Sequence, residues 1–225
     1  MGISGEEHDL VGRLRNERVK ALAEIFDGLR PRLWRIVDLR LDRRLHGRVD
    51  VDDVLQEAYL QASARLEEYL ENVPVSPFVW LRSITCQKLI DLQRRHLGTQ
   101  IRTADREVSI HGNFCDASSS ACLADILAGS LTSPSVATQR DETTAQLEAA
   151  LARMDPIDRE VLLMRHFEDL SNNEIAEALG LQPSGATMRY TRALRRLKDM
   201  LCEFPALCDG ILGEERGSCK DEPSS

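Results

Sequence analysis

Aromatic residues make up only 4% of the 225-residue chain, and runs of β-branched residues are scarce. An all-β fold is therefore not expected. No apolar run approaches the roughly 18 residues that cross a bilayer. The opening MGISGEEHDL lacks the basic-then-apolar order of a secretory signal. It starts like a myristoylation sequence, yet Glu6 stands where Ser or Thr is wanted. The chain is expected to be soluble and cytoplasmic. The six cysteines, Cys86, Cys115, Cys122, Cys202, Cys208 and Cys219, include no C-x-x-C pair and are expected to be reduced. His111, Cys115 and Cys122 offer three ligands at irregular spacing, which does not make a zinc site. No metal or cofactor is expected. The phosphate-binding, zinc-protease and serine-hydrolase motifs are missing, and the five histidines are scattered, so catalysis is not expected.

What is present favours helix, with Ala, Leu, Glu and Arg dominant. The net charge of -8 is unevenly spread. Residues 1–9 carry -3, 10–106 carry +4, 107–158 carry -6, 159–201 carry +1 and 202–225 carry -4. An acidic total thus does not exclude nucleic-acid binding, because a phosphate responds to the local field.

The Ser- and Gly-rich stretch 107–137 is expected to be a flexible linker, in which CLADIL is a candidate short helix without a visible partner. An all-α fold of two small helical domains, 10–106 and 138–201, is expected, with an acidic tail over 202–225. In the first, about four helices are expected. Leu14, Leu22, Ile25, Phe26 and Leu29 mark one face over 11–29, and Leu33, Trp34, Val37 and Leu41 another over 31–45. Asp50 is a candidate N-cap for a helix whose apolar stripe is Leu55, Ala58, Tyr59, Ala62, Leu66, Tyr69 and Leu70. Ser76-Pro77 starts a helix that ends in Arg94, Arg95 and His96, with a less regular apolar pattern.

In the second domain Asp155-Pro156 is another cap-then-proline start. Ser171 with Glu174 forms a capping box, and Leu170 with Ile175 a hydrophobic staple. Ala176 and Gly180 match the small residue and turn glycine of a helix-turn-helix. Ser184 is a candidate cap for the last helix, over 185–201. There Ala186, Tyr190, Ala193, Leu194, Leu197, Met200 and Leu201 form a core face; Arg189, Arg192 and Arg196 lie opposite, with Arg195 at the edge. A solvated charged face is the ordinary fate of such arginines. The capped helix-turn-helix and the choice of arginine, which binds phosphate and guanine bidentately, favour DNA binding.

Residues 151–201, LARMDPIDREVLLMRHFEDLSNNEIAEALGLQPSGATMRYTRALRRLKDML, resemble the C-terminal domain of ECF-type (extracytoplasmic function) RNA polymerase sigma factors. DVDDVLQEAYLQA followed by FVWLRSITCQKLIDLQRR resembles their N-terminal domain. The resemblance implies a specificity subunit that binds core RNA polymerase and directs initiation at promoter DNA. It implies that Asp52, Asp53, Gln56 and Glu57 dock on the polymerase. It further implies that Lys88, Asp91, Arg94 and Arg95 meet the -10 element, and that the loop 71–76 forms the pocket for a flipped base. Trp80 is expected in the core. Ser184, Thr187, Met188, Arg189 and Arg192 would face the -35 element, with Arg196 nearer the backbone. An anti-sigma factor is a further candidate partner, and the free protein is expected to be a monomer with no membrane contact. Departures are Thr187 where a basic residue is usual, Gln87-Lys88 in place of Asn-Arg, and a longer linker, so promoter sequence is not carried over. The alternative is a helix-turn-helix regulator binding an operator without acting as a polymerase subunit, which would leave the acidic helix face unexplained.

Overall fold

Among the residues described by the computed structural model, 5–73, 75–97, 116–131 and 137–202, all regular structure is helical apart from one isolated bridge between His46 and Val49. The helices are α1 (Gly5–Glu17), α2 (Val19–Arg40), α3 (Val51–Asn72), α4 (Pro77–Leu97), α5 (Asp116–Leu131), α6 (Ala137–Leu151), α7 (Pro156–His166), α8 (Asn172–Leu179) and α9 (Pro183–Leu201).

The first break falls at Arg18, whose φ of 52 takes the chain out of the helical region. The expected division near residue 30 is not there. Pro31 lies inside α2, where its missing N–H is tolerated and the helix runs on to Arg40. Trp34, expected in the core, is 42% exposed on the outer side of α2. Leu14, Leu22, Ile25, Phe26, Leu33 and Val37 are buried as their spacing predicts.

Asp50 caps α3 by accepting from the Asp52 N–H at 2.9 Å. α4 is the central helix, packed by α2, α3 and α8, and buried around most of its first half. That explains its irregular apolar pattern, because a helix covered on all sides needs no polar face. Trp80 is core and stacks on Tyr69, with ring centroids 4.2 Å apart.

The stretch read as a linker contributes α5. Cys122, Leu123, Ala124 and Ala128 share a core with Leu147, Leu151, Leu162, Leu163 and Ala193. CLADIL thus has its partner, in α6 and α7. The C-terminal helices also close over the N-terminal ones. Val161, Met164, Leu170, Ile175, Ala176 and Ala186 belong to the same apolar cluster as the cores of α2, α3 and α4. His111 and Cys115, and the acidic tail after Cys202, lie outside the described residues.

At the centre of that closure lie four charges. Arg40 of α2 and Arg82 of α4 meet Glu160 of α7 and Glu168 just beyond it, with side chains 0–2% exposed. Arg40 donates to both Glu160 oxygens, at 3.0 and 2.7 Å, and through Nε to Glu168 at 2.5 Å. Arg82 donates to Glu168 at 2.7 and 3.2 Å and to Glu160 at 3.0 Å. Burial alone disfavours the charged Arg82 guanidinium. Glu168, and behind it Glu160, outweigh this and hold its pKa above the ordinary value. The set is neutral as a whole and internally hydrogen-bonded, which a buried ion cluster requires.

Beside it, burial pushes the Cys122 thiol up to about 12, with Arg40 opposing and Glu168 and Glu160 reinforcing. Its Sγ donates to the Leu39 carbonyl at 3.0 Å. Cys86 is buried too, whereas Cys202 is exposed.

Two outcomes follow. Glu160→Gln removes one of two counter-charges and is expected to destabilise the protein by about 3–5 kcal/mol, read as a lower urea midpoint; replacing all four charged residues with apolar ones of similar size should cost far less. Peptide mapping after brief thiol alkylation of the native protein at pH 8 should label Cys202 and spare Cys86 and Cys122, which become reactive on unfolding.

Candidate nucleic-acid and polymerase interfaces

The helix-turn-helix is built by local rules. Ser171 caps α8, its Oγ accepting the Glu174 N–H at 3.2 Å while Glu174 accepts the Ser171 N–H at 2.7 Å. Leu170 and Ile175 are buried as the staple. Gly180 ends α8 at φ 63, a conformation glycine adopts without a Cβ clash. The last helix differs from expectation at its start. Its N-cap is Gln182, which makes no side-chain cap, and Pro183 opens the first turn; Ser184 is inside the helix and exposed.

The core face of α9 is as expected, with Ala186, Ala193, Met200 and Leu201 buried. The outward face is centred elsewhere than the sequence placed it. Ser184, Thr187, Met188, Thr191, Arg192 and Arg195 are exposed, Met188 by 63%. Arg189 and Arg196 lie on the flank towards α7. Arg189 donates to Asp155 and to Asp158, both at 3.1 Å, and Arg196 donates to the other Asp158 oxygen at 2.7 Å. Asp158 is buried at the start of α7, so it fixes the rotation of α9 about its axis. The Thr187 hydroxyl is held as well, donating to the Pro183 carbonyl at 3.1 Å and accepting from Asn172 at 3.2 Å. Sequence reasoning missed Thr191 and put Arg195 only at the edge of the face. The spacing of Met188, Thr191 and Arg195, three then four, carried the signal.

On the N-terminal side, Asp53 and Gln56 are exposed on α3. Asp52 pairs with Arg30 at 3.0 Å, and Glu57 with Arg95 at 3.3 Å. The face also holds Leu60, 60% exposed, which the sequence reading passed over. It is a large apolar residue on that helix that the core stripe does not use. On α4, Arg94 and Arg95 are exposed, Lys88 is half-buried, and Asp91 accepts from Gln87 at 3.0 Å. Glu57 and Arg95 therefore bring the two expected sites of this domain side by side. The connection from α3 to α4 begins at Val73 with φ 38, an outlier for a β-branched residue. The Tyr69 hydroxyl donates to the Val75 carbonyl at 2.8 Å and ties this connection to the Tyr69–Trp80 stack.

Residues 144–197, spanning most of α6 through α9, match the family described as Sigma-70, region 4. The RNA polymerase sigma factor NccH of Alcaligenes xylosoxydans xylosoxydans is 30% identical over 157 residues, 68% of this chain and 73% of that protein. The chain belongs to the ECF-type RNA polymerase sigma factors. The sigma factor SigZ of Bacillus subtilis (strain 168) is 24% identical over 72% of this chain and 78% of its own. The RNA polymerase sigma-E factor of Streptomyces coelicolor is 32% identical over 37% of this chain and 47% of its own. A solved structure of CnrH in complex with the cytosolic domain of CnrY aligns over 88% of this chain and 98% of that one, with 19% identity and a TM-score of 0.48. Among the described residues of this sigma factor, no helix is long and apolar enough to cross a membrane and no cluster of metal-ligating side chains occurs.

The geometry separates two kinds of arginine on α9. Asp158→Asn should destabilise the protein by about 1.5–3 kcal/mol, since two charged hydrogen bonds donated to a buried carboxylate are weakened. Arg192→Ala or Arg195→Ala should stay within about 0.5 kcal/mol of the parent in thermal melts.

Proposed function

We propose that this sigma factor binds core RNA polymerase through α3 and reads promoter DNA at two places, the -10 element with α4 and the -35 element with α9. The observation that carries this reading is the exposed face Ser184, Thr187, Met188, Thr191, Arg192 and Arg195 on a capped helix-turn-helix. Its guanidiniums suit phosphate and base edges. Arg189 and Arg196, partly neutralised by Asp155 and Asp158, set the orientation of the helix and contact the DNA backbone from its flank. Asp53, Gln56 and Leu60, with Asp52 and Glu57, form a mixed acidic and apolar surface for a basic polymerase segment. Arg94, Arg95 and Lys88 meet phosphates near the -10 element, and the connection, which starts after Asn72 and not at residue 71 as the sequence placed it, receives an unpaired base. The protein acts in the cytoplasm, without catalysing a bond change. An anti-sigma factor is a further partner in this reading.

A regulator acting without polymerase would need no exposed acidic face on α3. It is distinguished by whether the protein selects start sites only with polymerase present.

Run-off transcription with core polymerase and a promoter library should yield start sites that depend on this protein. Arg192→Ala should remove dependence on the -35 sequence while polymerase binding persists. Asp53→Ala with Gln56→Ala should weaken polymerase binding and leave the DNA face intact. The absence of any start site that depends on the protein would refute the proposal.

A further inference from the structure

The outward face of α9 is charged at its border and apolar at its centre. Thr187, Met188 and Thr191 are exposed, and Thr191 lies three and four residues beyond the other two, so the three form one patch. Two threonines would ordinarily bring hydroxyl donors to such a patch. Here both hydroxyl hydrogens are spent on the backbone of α9 itself. Thr187 donates to the Pro183 carbonyl at 3.1 Å, and Thr191 donates to the Thr187 carbonyl at 3.0 Å. A hydroxyl has one hydrogen to give. Neither threonine, so bonded, can donate to the N7, O6 or O4 acceptors of a base edge.

The bond from Thr191 is one that a threonine on a helix makes and breaks without help. Thr187 is held more firmly. Its oxygen also accepts from Asn172 Nδ2 at 3.2 Å, and Asn172 is the first residue of α8. A side chain from the other helix of the motif thus keeps the Thr187 hydroxyl turned to the protein. What Thr187 leaves for a ligand is its methyl group. Met188, 63% exposed, sets a flexible thioether beside it. Of the groups that base pairs present in the major groove, the apolar one is the 5-methyl of thymine. From Thr187 to Thr191 the helix rises about 6 Å, enough for two base pairs at about 3.4 Å each.

We propose that this patch reads thymine at two neighbouring A·T pairs of the -35 element. The Thr187 methyl lies against one 5-methyl group, and Met188 with Thr191 against the next. Asn172 is a positioning residue, which acts by holding the Thr187 hydroxyl away from the bases. The assignment rests on the -35 reading of α9 proposed above, and it names the bases which that reading leaves open.

The test uses holoenzyme, reconstituted from core polymerase and the full-length protein, on a promoter recovered from the library transcription. Thymines of its -35 element are replaced one at a time by deoxyuridine, which removes the methyl and keeps every hydrogen-bonding group. Affinity is read by competition anisotropy at fixed salt. Two neighbouring replacements should each weaken binding about fourfold, the worth of one buried methyl, and the others should have no effect. T187S, which keeps the hydroxyl and loses the methyl, should erase the thymine preference at one of the two positions; T187V, which keeps the methyl, should retain it. M188Q should erase it at the other. N172A should reduce the preference at the Thr187 position, yet change nothing there in a T187V background, where no hydroxyl remains to be held. Thermal melts establish that each variant is folded. Uracil tolerated throughout the element would overturn the proposal, as would a preference kept by T187S and lost by T187V. An N172A preference equal to the parent's, or reduced equally in the T187V background, would overturn the role of Asn172. Scrambling the whole element separates the two readings. If scrambling weakens binding while uracil does not, α9 reads the element by other groups and this proposal alone falls. If scrambling has no effect, the -35 reading falls with it.

Discussion

Arg40, Arg82, Glu160 and Glu168 govern how the rest of the molecule is arranged. Both cations come from the N-terminal helices and both anions from the C-terminal ones. Neither side can bury its pair alone, since an isolated pair of like charges in an apolar setting is far too unfavourable. The apolar surfaces of α7 and α8 can therefore close over α2 and α4 only in the one register that brings all four together. Apolar packing supplies the affinity of the two halves, and the charges supply its specificity. When the halves part, two arginines and two glutamates return to water with little net electrostatic change, because solvation replaces what pairing gave.

That closure bears on DNA binding. A chain of this length folded as one globule has a radius of gyration of roughly 17 Å. Two promoter elements about 25 base pairs apart are separated by roughly 85 Å along the duplex, at about 3.4 Å per pair. A closed molecule cannot engage both. Engaging both requires the units to part, which breaks the pairs of Asp169 with Arg35 and Glu174 with Arg32 and frees the Ser76 N–H from Glu177.

Much of this was legible in the sequence, because it is local. The Asp50 cap, the Ser171–Glu174 box, the Gly180 turn and the buried face of α9 depend on residues within one or two turns of each other. What was not legible depends on distant partners. The apolar residues of α5 include alanine and cysteine and make a weak periodic signal; they gain meaning only against Leu147, Leu151 and Leu162. Arg40 and Arg82 carry no local signal, since their carboxylates lie 78 or more positions away. The rotation of α9 was misjudged by about one position for the same reason. Asp158, on another helix, draws Arg189 and Arg196 to the flank and leaves Thr191 and Arg195 outward. Trp34 and Leu60 show the converse, as large apolar residues in regular helices that the core does not use.

The connection between Leu97 and Asp116 spans 18 residues, long enough to reach roughly 60 Å when drawn out. α5 follows directly and is packed into the C-terminal core, so both halves belong to one chain with few residues between them. Two surfaces joined in this way meet at an effective concentration on the order of millimolar. Reassociation is then unimolecular and independent of how much of the protein the cell contains. Closure of the two halves on each other therefore needs no second molecule, and the balance between closed and parted forms does not depend on how many copies there are.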